Sequence, residues 1–188
     1  MSTLLSAEDR RRLLREARRA VAETLAGRTA EPPPVEGVFA KRAGVFVSFH
    51  NHGELRGCIG YTEADRPLAD LVGRFAIAAA TGDPRFPAIT AAELDACDIE
   101  VSVLGPIEPV ADPSDVVVGR DGLVVEQHWH RGLLLPQVAV EHGWDRDTFI
   151  SYTCVKAGLP RDAWKKGARI FRFEAEVFGE RSTGMRSA

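Results

Sequence analysis

Val45, Val47 and Phe49 alternate with Phe46, Ser48 and His50, and after Asn51-His52-Gly53 the chain returns through Leu55-Arg56-Gly57-Cys58-Ile59-Gly60. Alternation on both sides of a glycine-containing turn is the signature of a β-hairpin with one buried face. A lone hairpin is marginal in water, so this one needs more strands, or helices laid on its apolar side. The sequence offers both. Leu13, Leu14, Ala17, Ala20, Val21 and Leu25 share one face of a helix that Ser6 and Asp9 cap and Gly27 ends. Leu68, Leu71, Val72, Phe75, Ala76 and Ala79 do the same for a helix opened by Pro67 and running to Ala80. Ile99, Val101 and Val103 alternate with Glu100 and Ser102, which predicts another strand.

Between these elements lies the loop Gly82-Asp83-Pro84-Arg85-Phe86-Pro87, kept from helix by its prolines, and a short helix capped by Thr90 with Glu93. From Asp112 to Pro136 the chain is rich in strands and turns, with Arg120-Asp121-Gly122 and His130-Arg131-Gly132 as turn candidates. A helix from Gln137 to His142 closes at Gly143, a second runs from Asp145 to Ala157, and a last strand turns Phe171, Phe173, Ala175 and Val177 inward. Helices and strands mix without a βαβ rhythm, so the 188 residues read as one α+β domain built on a largely antiparallel sheet.

The hairpin register decides where Cys58 points. A three-residue loop sets Ser48 opposite Arg56 and Phe46 opposite Cys58. Val45, Val47, Phe49, Leu55 and Ile59 then share the core face, and Ser48, His50, Glu54, Arg56 and Cys58 share the other. A two-residue loop mixes polar and apolar residues on both faces, which a buried face selects against. Cys58 is therefore expected to point away from the core beside Arg56. A guanidinium there favours the nucleophilic thiolate, and the backbone at Gly57 and Gly60, with Ser48 across the hairpin, would line an anion-binding position. The competing reading is structural: a free cysteine often fills space, and the glycines only admit a closely packed helix. Asp83 and Arg85 either complete the site or pair with each other or with the Ala88-Ile89 backbone to fix their loop.

Composition narrows the classes. A net charge of -3 argues against nucleic acid as the main partner. No apolar run approaches the roughly 18 residues that span a bilayer, and the first segment is Arg-rich where a signal peptide is apolar. Cys58, Cys97 and Cys154 are odd in number and widely spaced, which fits reduced thiols in a cytoplasmic protein. Arg11, Arg12, Arg15, Arg18 and Arg19 read as the solvated face of the first helix. The pairs His50/His52 and His128/His130 sit at predicted turns, so no metal is assigned to them. Walker A, dinucleotide and G-x-S-x-G signatures are absent, and no cofactor is expected.

Leu55-Arg56-Gly57-Cys58-Ile59-Gly60 resembles the signature of the AMMECR domain family. Asp83-Pro84-Arg85-Phe86, Glu100-Val101-Ser102-Val103-Leu104, Gly132-Leu133-Leu134-Leu135-Pro136-Gln137-Val138-Ala139, Gly143-Trp144, Phe149 and Lys156-Ala157-Gly158-Leu159 resemble its other blocks in order. The chain departs from the family's commoner pattern at Asp121, where a histidine before Gly-Leu is usual. The resemblance implies an α+β fold of two unequal lobes with the cysteine motif near a cleft between them, the smaller β-rich lobe falling within 105–136. Its prokaryotic members are associated with a Memo-like protein and a radical-SAM protein. Two functional expectations follow. One is an enzyme or carrier in which Cys58 acts on a small anionic substrate with Arg56, Asp83 and Arg85. The other is a non-catalytic adaptor for the Memo-like and radical-SAM proteins.

Overall fold

The structure, a computed structural model, describes residues 5–186. Two compact units emerge: one comprises the chain up to Leu104 and again from Glu176, the other Gly105–Ala175.

In the first unit, helix α1 (Ala7–Leu25) starts on a capping box in which the Ser6 hydroxyl accepts from the Asp9 N–H and the Asp9 carboxylate accepts from the Ser6 N–H. It ends as Gly27 takes a left-handed φ of 73°. Strands β1 (Val45–Asn51) and β2 (Glu54–Tyr61) form the hairpin, and β3 (Asp98–Leu104) pairs antiparallel on the other side of β1. Helix α2 (Leu68–Thr81) and the short α3 (Ala91–Ala96) lie between β2 and β3 in sequence. Val45, Val47 and Phe49 of β1 and Ile99 and Val101 of β3 are fully buried, in one cluster with Leu13, Leu14, Ala17 and Val21 of α1 and Leu68, Leu71, Val72 and Ala76 of α2. The periodicities 2 and 3.6 read from the sequence thus meet in a single core.

The arginine face of α1 is only partly solvated. Arg18 turns inward and chelates the buried Glu180 carboxylate with two bonds of 2.6 Å, while donating to the carbonyls of Leu94 and Cys97. Glu180 also accepts from the Ile99 N–H. This corrects the expectation of a wholly exposed row: a buried carboxylate contributed from far along the chain recruits one arginine out of it.

The second unit holds β4 (Glu108–Pro109), β5 (Asp121–Gln127), β6 (His130–Leu134) and, as far as Ala175, β7 (Arg169–Gly179), joined antiparallel. Helices α4 (Pro136–Glu141) and α5 (Arg146–Lys156) follow β6, so the unit runs well past 136. Val116, Leu123, Val125, Ala139, Phe149, Ile150, Cys154 and Ile170 form its core. The turn candidates shift by a few residues. Asp121 and Gly122 already belong to β5, His130–Gly132 to β6, and the tight turn sits at His128-Trp129, where His128 adopts a φ of 55°. Asp121 is buried and accepts from Arg120 and from the Val117 N–H, so it closes the turn before its strand. Along β7 the expected inward phase is also corrected. Ile170, Phe173 and Phe178 are buried, whereas Val177 is exposed. Phe173 covers Gly122 and stands outside the cluster that takes Ile170, so β7 buries residues of both faces.

Candidate functional site

The hairpin has neither register expected from the sequence. His52 and Gly53, with φ values of 51° and 86°, make a two-residue turn that pairs Asn51 with Glu54 and His50 with Leu55. The register then shifts by one, because Arg56 is the extra residue of a β-bulge, and Phe49 faces Gly57, Ser48 faces Cys58 and Val47 faces Ile59. Beyond Arg56 the bulge restores the separation of apolar and polar faces; before it Leu55, opposite His50, is exposed and does not share the core face as expected. Cys58 thus lies on the face opposite Val45, Val47 and Phe49, as the sequence predicts, but its cross-strand neighbour is Ser48 and not Phe46.

Strand β2 is an edge strand, with β1 on one side only. Cys58 turns both its backbone polar groups outward: its N–H donates to Asp83 Oδ2 at 2.9 Å, and its carbonyl accepts from Arg85 Nη2 at 3.3 Å. An antiparallel residue that bonds outward makes a narrow pair with its inner neighbour, Cα atoms about 4.5 Å apart, so Ser48 and Cys58 present their side chains close together. The Ser48 hydroxyl stands 3.3 Å from His50 Nε2.

The loop that reaches β2 is rigidly built. Asp83 is 4% exposed. Its Oδ1 accepts from the Arg85 N–H (3.1 Å) and Nε (2.9 Å), and its Oδ2 from Arg85 Nη2 (2.6 Å) and the Cys58 N–H. The Arg85 guanidinium, helped by the backbone N–H groups, holds this carboxyl far below the usual carboxylate range, against the opposing effect of burial. Asp83 in turn raises Arg85, with a smaller contribution in the same direction from Cys58. Arg85 nevertheless keeps 54% of its side chain exposed. Asp83 and Arg85 therefore pair with each other, as one sequence reading held, and the backbone they fix is that of Cys58.

Arg56 is taken elsewhere. Its Nε and Nη2 grip Glu93 Oε1 and Oε2 at 2.6 and 3.1 Å, while Nη1 is buried without a hydrogen-bond partner among the described residues. Glu93 was legible only as the second half of a capping box. Thr90 does accept from its N–H, but its carboxylate goes to Arg56. Both guanidiniums stand over the Phe86 ring, Arg56 at 6.0 Å and Arg85 at 5.3 Å from the ring centre.

The glycines have steric duties. A Cβ on Gly57 would meet the Ala79 carbonyl of α2 at 2.2 Å, and one on Gly60 would meet the Phe46 ring at 2.3 Å. Among the three cysteines Cys97 and Cys154 are fully buried, and burial pushes both thiols up; Cys58 is half-buried. The histidines are placed by local structure: His52 and His128 occupy turns, and His130 Nδ1 lies 3.2 Å from the Ala157 carbonyl. Among the described residues no three His, Cys, Asp or Glu side chains gather to hold a metal, and no helix is long and apolar enough to cross a membrane.

The site is thus an edge strand of an antiparallel sheet on which a half-buried cysteine is fixed by the buried Asp83 and its half-exposed partner Arg85. Residues 14–178 match the AMMECR1 family, and the chain belongs to it. A protein of Methanothermobacter thermautotrophicus is 50% identical over 94% of this chain and 96% of its own length. Protein MJ0810 of Methanocaldococcus jannaschii is 43% identical, covering 94% and 92%. The crystal structure of uncharacterized protein PH0010 from Pyrococcus horikoshii superposes with a TM-score of 0.89 at 41% identity, covering 94% of both chains.

Proposed function

We propose that this protein is an enzyme or covalent carrier for a small molecule, with Cys58 as its nucleophile and Arg85 as the cation beside it. One observation carries the reading: the backbone of a half-exposed cysteine is clamped by a buried carboxylate whose arginine partner stays half in solvent. Fixing a thiol next to a guanidinium prepares it for attack before substrate arrives. Ser48, across the narrow pair, is placed to bond a substrate oxygen. Arg56, bound to Glu93, shares the Phe86 ring with Arg85.

Alkylation by iodoacetamide, read residue by residue by mass spectrometry on the folded protein, tests this. Cys58 is expected to react at least about tenfold faster than Cys97 or Cys154, whose thiols are buried and harder to ionise. Equal rates at the three sites would overturn the assignment.

A second reading as an adaptor for Memo-like and radical-SAM proteins draws on Trp129, which is 86% exposed at the tip of the β5–β6 turn. Exposed tryptophans are over-represented as anchors at protein interfaces. On this reading Trp129→Ala abolishes co-purification with those partners while Cys58→Ser leaves it intact; the reverse pattern sinks it.

A further inference from the structure

We propose that the substrate is a monocarboxylate, its carboxyl group bound between the unused Nη1 groups of Arg85 and Arg56 beside the Phe86 ring. This rests on the reading of Cys58 as the reactive group.

The donors are what the fold leaves over. Arg85 spends Nε and Nη2 on Asp83 and on the Cys58 carbonyl; Arg56 spends the same two nitrogens on Glu93. Each guanidinium is thereby fixed in plane with one nitrogen still to be used. For Arg85 that nitrogen belongs to a half-exposed side chain. For Arg56 it is buried and unpaired, and an unpaired buried donor is costly unless something accepts from it. The Phe86 ring, half-buried and 6.0 Å from the Arg56 guanidinium carbon, offers the rest of the ligand an apolar surface.

Charge decides between oxyanions. Arg56 is matched by Glu93 and Arg85 by Asp83, and Asp83 stays ionised because its bonds hold it so. These four groups cancel. Phosphate sites carry surplus cations or a helix N-terminus aimed at the dianion, and these four groups provide neither. With no surplus charge, the cluster offers hydrogen bonds alone: a monoanion's two oxygens fit the remaining N–H groups, whereas a dianion would bring twice the uncompensated charge to the same donors.

Iodoacetate and iodoacetamide are nearly the same size and differ by the carboxylate. With either, the Cys58 thiolate forms a C–S bond as the C–I bond breaks and iodide leaves. The iodoacetate-to-iodoacetamide rate ratio at Cys58 is expected to be about tenfold higher in the folded protein than in the urea-unfolded chain, the worth of one good charge-assisted hydrogen bond. Arg85→Gln and Arg56→Gln should each lower that ratio toward the unfolded value. On the unaltered protein, sodium propionate should slow iodoacetamide at Cys58, and sodium phosphate at equal ionic strength should not. Fast iodoacetamide labelling with an unchanged ratio would overturn the carboxylate site and leave the reactive thiol standing. Slow labelling by both reagents would overturn the reactive thiol itself. Equal protection by phosphate would overturn the restriction to a single charge.

Discussion

Gly57→Ala is expected to destabilise the protein by about 3 kcal/mol or more, at the upper end of what overpacking costs. The added Cβ would lie 2.2 Å from the Ala79 carbonyl oxygen. Neither partner yields cheaply: Gly57 is in a strand paired with Phe49, and Ala79 is in the last turn of α2, buried against the same core. Relief requires moving the helix off the sheet. Gly53→Asn is the control. Gly53 has open space around it, so asparagine there meets no clash and bears only the strain of a left-handed φ of 86°, and its melting temperature should fall far less. The measurement is thermal unfolding of both variants against the parent chain. A Gly57→Ala protein melting within a degree or two of the parent would show that the strand and helix are less tightly apposed than described.

Asp83→Asn is expected to cost about 2–3 kcal/mol at neutral pH, the range for hydrogen bonds to a buried charged group. Asparagine keeps one acceptor but turns an NH₂ group toward donors, either the Cys58 N–H or Arg85. The exposure of Arg85 keeps the loss from being larger, because the released guanidinium can be hydrated. The pH dependence has a definite sign. The folded carboxyl titrates well below its unfolded value, chiefly because of Arg85, so its contribution is complete above the unfolded value of about 4 and is lost as pH falls below it. The stability gap between parent and variant should be constant from pH 5 upward and shrink steadily below pH 4. Urea midpoints of the two proteins across that range provide the check, and a gap that holds at pH 2 would refute the ion-pair account. Cys58 should also be alkylated more slowly in the variant, since its clamp is gone.

Much of this was legible from residue types and spacing. The capping box at Ser6, the apolar stripe of α1 and α2, and the alternation in β1 and β3 are local signals, and each dictated its own element. The direction of Cys58 followed from keeping Val45, Val47 and Phe49 together on the core face. What escaped was the bulge at Arg56. A bulge is chosen by the joint demands of a two-residue turn and two faces, and no single residue announces it. Because it redirects one side chain, the sequence placed Arg56 beside Cys58, whereas the fold gives its bonds to Glu93. Asp83 was visible as a loop residue, but the bond its carboxylate accepts from a backbone N–H 25 positions earlier belongs to tertiary structure. The same holds for Arg18, whose partner Glu180 lies 162 residues away. Ile170, Phe178 and Val177 broke the expected phase of β7 because that strand buries different faces along its length.

The outward rim of β2 is covered at Cys58 by two side chains where most sheets would use another strand. Such rims are templates for recruiting a neighbouring molecule when laid bare. Acid that neutralises Asp83, or any change that lets the Asp83–Arg85 loop swing away, would therefore do more than loosen a site. It would leave a tacky strip along which molecules can stack, so the Asp83→Asn protein should yield more soluble aggregates rich in intermolecular sheet than the parent chain.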